Sequence, residues 1–95
     1  MAIFCVNYTY DPARADEMDE VRPRHREFLK DLYDRGTLRL VGSWKEPFLG
    51  ALLILDVTDA SSALAILDDD PFLTEGFIRQ RHAHPYTIVY GALAD

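Results

Sequence analysis

Apolar positions along this chain recur with two periods, and together they predict six elements. Ala2 to Thr9 is rich in β-forming residues and closes at Asp11-Pro12, which predicts a strand. From Asp16 to Arg35, apolar Met18, Val21, Phe28, Leu29 and Leu32 fall at helical spacing, and Gly36 supplies the helix stop. Leu38 to Trp44 and Leu49 to Val57 read as two strands. They are joined through Lys45-Glu46-Pro47-Phe48, a connection short enough for an antiparallel hairpin. A second helix runs through Leu64 and Leu67, with Asp59 or Ser61 able to cap it. It stops before Pro71, because a residue preceding proline avoids the helical region. A last strand lies within Phe77 to Tyr90.

The order strand, helix, strand, strand, helix, strand is the split βαβ pattern. The expected class is α+β, a ferredoxin-like βαββαβ domain with an antiparallel sheet and both helices on one face. One domain spanning residues 1–95 is expected, since no linker, repeat or low-complexity segment divides the chain. An antiparallel sheet with one wet face should alternate apolar and polar residues. Ala2-Ile3-Phe4-Cys5-Val6 and Ala51-Leu52-Leu53-Ile54-Leu55 are instead apolar on both faces. Helices cover only one of those faces, so the other calls for a partner. Face-to-face packing of two copies gives a homodimer through the sheet, a dimeric α/β barrel.

Composition narrows the function classes. A chain of 95 residues buries only about 60 to 65% of its unfolded surface, which favours association with a second copy. The formal charge of −6 repels phosphate backbones, so no nucleic-acid partner is expected. The single cysteine, Cys5, cannot form an intramolecular disulfide and fits a reducing cytoplasm. Burial in its apolar run argues for a core thiol rather than a nucleophile. No segment approaches the roughly 20 apolar residues of a membrane span, and the N-terminus lacks the basic and long apolar regions of a signal peptide.

The candidate chemistry lies in two short motifs: Arg22-Pro23-Arg24-His25 in the first helix, and Asp68-Asp69-Asp70-Pro71-Phe72 where the second ends. His25 shares the apolar stripe of its helix with Val21 and Leu29, so it should point toward the sheet or a crevice beside it. Its structural reading is a buried imidazole bonded to a backbone carbonyl; its functional reading is a general acid or base. Arg22, one turn earlier, can make a solvated ion pair or hold an anionic group. Asp70 can cap a short helical turn running from Phe72 to Glu75 and can also orient the imidazole, two roles that are compatible. Asp68 and Asp69 read as solvated helix-end residues. If the two helices run parallel, His25 and Asp70 could lie roughly ten or more ångströms apart, at about 1.5 Å per residue, and a wide gap would reduce Asp70 to a cap.

With these fragments in order, the chain resembles the YciI-like, or YCII-related, family of small α/β proteins. The resemblance rests on an N-terminal strand ending in tyrosine, Arg22-Pro23-x-His25, Gly36, Val41-Gly42-Ser43, Asp70-Pro71-Phe72 and His84-Pro85-Tyr86. It implies a ferredoxin-like fold, dimeric barrels similar to those of muconolactone isomerases, and a catalytic histidine and aspartate, here His25 and Asp70. Relatives with a proposed role act as dehydrochlorinases on chlorinated hydroxylated aromatics. The residue after Gly42 is often proline in that family and here is Ser43, followed by Trp44. Ser43 and Trp44 can contact a ligand or simply pack at the strand end.

The expected function is therefore cofactor-independent acid–base chemistry of an isomerase, lyase or dehydrochlorinase type on a small aromatic or anionic molecule. His25 and Asp70 would be catalytic, with Arg22, Ser43 and Trp44 at the substrate. The competing expectation is a non-catalytic dimeric module that binds a small ligand or serves as an accessory subunit. No metal is expected: His82 and His84 share a strand face, but they lack the compact ligand spacing of a structural zinc site.

Overall fold

Long-range placement of the site begins with the first helix. The computed structural model describes residues 2–92. Helix α1 spans Ala15–Asp34 and buries Met18, Val21, His25, Leu29 and Leu32, a stripe with three- and four-residue steps. A 3-10 turn at Pro12–Arg14 leads into it, with Asp11 capping that turn through a 3.0 Å bond from the Ala13 N–H. Pro23 lies inside α1 on its exposed side, so the bond its missing N–H would make is absent from the solvent face. Past Arg35, Gly36 takes a φ of 83°, the left-handed conformation that lets the chain leave the helix.

Among the described residues the sheet has four strands: β1 (Ala2–Tyr10), β2 (Leu38–Ser43), β3 (Gly50–Val57) and β4 (Ile78–Pro85). They lie in the order β2-β3-β1-β4 and every neighbouring pair is antiparallel, the ferredoxin-like arrangement expected. Trp44 falls just outside β2, and β3 starts at Gly50 rather than Leu49, although the Trp44 N–H still bonds the Gly50 carbonyl at 3.0 Å. Gly50 is required there, because a Cβ would collide with the Tyr8 carbonyl.

Alternation sorts the sheet into two faces. Phe4, Val6, Tyr8 and Tyr10 of β1 and Ala51, Leu53, Leu55 and Val57 of β3 face the helices and form the core with Leu29, Leu32, Leu67, Phe72 and Phe77. Each fully buried large apolar side chain contributes roughly 1.5 to 3 kcal/mol. The opposite face carries Ile3, Cys5, Leu52, Ile54 and Leu40, with His82 and His84 of the edge strand β4 beside them. Cys5 is buried by its sheet neighbours on this second face, not in the core under the helices.

Helix α2 (Ala60–Leu67) is capped by Asp59, whose carboxylate accepts the Ser62 N–H at 2.7 Å; Ser61 is not the cap. Arg81 closes its other end, donating to the Leu64 carbonyl at 3.2 Å and to the Asp68 carboxylate at 2.9 Å. A separate short helix, α3 (Pro71–Thr74), follows and packs against α1. That packing decides the geometry of the site.

Candidate functional site

His25 and Asp70 meet directly, with 2.7 Å between His25 Nδ1 and Asp70 Oδ1. The separation that parallel helices would impose does not arise, because Asp70 is not carried by α2. Helix α2 ends at Leu67, the Asp70 N–H bonds the Leu67 carbonyl at 3.0 Å, and the chain turns into α3 against α1. Pro71 at the first helical position and Asp70 as N-cap make that turn locally favourable. Asp70 Oδ1 accepts the Phe72 N–H at 2.9 Å as well as facing His25, so the cap and the imidazole contact coexist. Phe72, fully buried, lies parallel to the imidazole with ring centroids 3.7 Å apart and 3° between planes, which fixes the tilt of His25.

The third partner of Asp70 is Tyr8, whose hydroxyl donates to Oδ2 at 3.0 Å across the core from β1. Burial, with the Asp70 carboxylate beside it, pushes the Tyr8 phenol far above its ordinary value, so it remains a donor. Tyr10, its neighbour on the same face, is raised too, first by burial and then by Asp70. An ionised carboxylate only accepts hydrogen bonds, so Asp70 between these donors requires the proton of a neutral His25 to sit on Nδ1. That leaves Nε2 with a free lone pair. Among the described residues Nε2 has no hydrogen-bond partner, and it is not among the sealed polar atoms. It therefore reaches the cavity that His25 helps to line, about 400 Å³ between α1 and β2.

The other expected site residues divide around this cavity. Arg22 and Ser43 line it. Arg22 is already engaged, paired with Asp19 at 3.0 Å and with its guanidinium carbon 5.4 Å from the centre of the Phe72 ring. Trp44 does not line the His25 cavity. It borders a smaller neighbouring depression with Arg22 and Ser43, and a wider hollow with Phe48, Leu49 and Arg79. The reason is strand alternation: Ser43 pairs with Ala51 on the helix side of the sheet, and the next residue turns away. Asp68 and Asp69 are exposed, Asp68 pairing with Arg81.

His82 and His84 are exposed on the open face of β4, their rings stacked with centroids 6.2 Å apart. Among the described residues no group of three or more His, Cys, Asp or Glu converges as a metal site would require. Tyr8 was not singled out by the sequence pattern, where a tyrosine on a strand reads as core. The available signal was the hydroxyl itself, because a buried phenol needs a partner.

The model of the YCII-related domain matches residues 1–87 of this chain. The chain belongs to the YCII-related family. Solved structures share its fold. One is the 5-chloro-2-hydroxyhydroquinone dehydrochlorinase TftG of Burkholderia phenoliruptrix AC1100, in complex with 2,5-dihydroxybenzoquinone. It is similar at 15% identity over 98% of this chain and 99% of that one, with a TM-score of 0.79. A protein assigned as an antibiotic biosynthesis monooxygenase, from Bacteriodes thetaiotaomicron VPI-5482, is similar at 13% identity over 99% of this chain and 94% of that one, with a TM-score of 0.60. At such identities the YCII-related chain shares a fold with these proteins, and no more follows from the likeness. No curated protein matches the sequence. Among the described residues no helix is long and apolar enough to cross a membrane.

Proposed function

We propose that this YCII-related protein is a small acid–base enzyme in which His25 Nε2 takes a proton from a substrate held in the cavity between α1 and β2. The proton comes from a phenolic hydroxyl or from a carbon next to a carbonyl. The electron pair left behind either shifts a double bond, as in an isomerase, or expels a leaving group from a neighbouring carbon, as in a lyase of the dehydrochlorinase type. The observation that carries this reading is the division of labour on one imidazole, with Nδ1 held by Asp70 at 2.7 Å and Nε2 open to the cavity. Asp70 orients the ring and compensates the charge of the imidazolium once Nε2 is protonated. Phe72 keeps the ring plane fixed. None of these steps calls for a cofactor.

A hydroxylated aromatic ring is the substrate class that fits best. TftG, similar in fold, is a dehydrochlorinase of a chlorinated hydroxyhydroquinone, and about 400 Å³ accommodates a single substituted ring. In the same reading a second copy of the chain covers the apolar open face of the sheet, and the protein works in a reducing compartment where Cys5 stays a thiol.

The test is turnover of chlorinated and unchlorinated hydroxyhydroquinones, followed by chloride release and by solvent deuterium uptake. In His25→Asn, turnover should fall by about 10²- to 10⁴-fold with the circular dichroism spectrum unchanged. Undiminished turnover in the variant removes His25 from the chemistry. Ligand binding with no turnover in the wild type would make the protein a binding module.

A further inference from the structure

The cavity beside His25 has a charge that the chain as a whole does not. The protein carries a net −6, yet among the described residues the cavity is lined by Arg22, Arg26 and Lys30 and by no carboxylate. The three cations stand four residues apart on α1, so they form one row along the helix facing the same space. They are not equivalent. Arg22 is paired with Asp19 at 3.0 Å, and Lys30 with Asp34 at 2.8 Å. Among the described residues Arg26 has no carboxylate partner.

An unpaired guanidinium at a cavity wall is a ready partner for a planar anion, which it can grip with two parallel N–H donors. Arg26 follows His25 directly and Lys30 lies five residues on, about 7.5 Å further along the axis at a rise of about 1.5 Å per residue. We infer that the substrate of this site carries a carboxylate or equivalent acidic group besides the atom that gives its proton to His25, and that Arg26 reads that group, with Lys30 behind it. This rests on the acid–base reading of the cavity and adds the charge of its substrate. It also moves the anion-binding role from Arg22, which is engaged elsewhere, to Arg26.

Binding can be measured without turnover, using para-hydroxybenzoate and its uncharged amide, para-hydroxybenzamide, as probes. The ring signals of His25 are followed by nuclear magnetic resonance. The wild type should bind the acid about tenfold more tightly than the amide, the scale of one charge-assisted contact. Arg26→Gln should abolish that preference while leaving the amide's affinity unchanged. Lys30→Gln should reduce it by a smaller factor, and added salt should weaken the acid alone. Arg26 is exposed, so the variant should keep the wild-type circular dichroism spectrum. Equal affinity for the two probes, binding of neither, or a preference that survives in Arg26→Gln overturns the inference. Failure here with turnover still dependent on His25 removes only the charge reading. An intact acid preference with turnover independent of His25 removes only the catalytic one.

Discussion

Replacing Tyr8 with Phe removes one oxygen from the middle of the core and tests whether Asp70 is held as a charged acceptor. Tyr8 is about 1% exposed and Asp70 is fully buried, so no water can replace the lost 3.0 Å bond to Oδ2 without the core opening. A hydrogen bond to a charged group nets about 1.5 to 3 kcal/mol, and a buried acceptor left without its donor forfeits that amount. A domain of this size has roughly 5 to 14 kcal/mol in total. Tyr8→Phe should therefore take away between about a tenth and three fifths of it, seen as a fall in melting temperature on the order of 10 °C. Urea unfolding followed by circular dichroism measures the loss, and a cycle with Asp70→Asn isolates its cause.

In Asp70→Asn the amide oxygen keeps the two donors at the Oδ1 position, His25 and Phe72, and the amide nitrogen faces Tyr8. Tyr8 then no longer donates to a charge, so Tyr8→Phe should cost less than about 1 kcal/mol in that background. Equal losses in both backgrounds, or a loss below about 0.5 kcal/mol in the wild type, would refute the view that Tyr8 acts through the Asp70 carboxylate.

Three further outcomes follow from the same structure. The phenols of Tyr8 and Tyr10 are raised in the folded state above the ordinary value of 10.0, so the unfolded chain loses those protons first as pH rises. Their contribution is full below about pH 10 and is lost progressively above it, so unfolding free energy against pH should fall on the alkaline side, less steeply in Tyr10→Phe. Phe72→Ala should lose about 3 to 5 kcal/mol in urea unfolding, since the ring is fully buried and packs on His25, Tyr10 and Phe77. Sedimentation equilibrium should give a mass twice 10.9 kDa, and Leu40→Glu, on the open sheet face, should shift it toward the monomer.

The order of the elements was legible because each rests on local chemistry: apolar spacing for α1, alternation in the strands, Asp59 and Gly36 at helix ends. The inward phase of His25 was legible for the same reason, as was Asp70 as a cap. The bond between them was not. It depends on the chain using Asp68 and Asp69 to leave α2 and start α3 against α1, and no local pattern encodes how far a three-residue turn carries a carboxylate. Trp44 was placed with Ser43 because they are neighbours in sequence; on a strand neighbours face opposite ways, and the pairing of Ser43 with Ala51 decided which of them met the cavity. The role of Arg26 was hidden because an arginine on an exposed helix side looks like any solvated charge until β2 closes the space opposite it.

For His25 to act as an acid or base, Asp70 must hold the His25 proton on Nδ1 and leave Nε2 free to exchange a proton with a bound molecule. Nitrogen-15 spectra of the histidine rings, recorded where His25 is neutral, read this tautomer directly. His25 should show a protonated Nδ1 and an unprotonated Nε2, and Asp70→Ala should lose that preference. An Nε2–H tautomer in the wild type would rule out this role for His25, because the cavity would then meet a donor where a base is required.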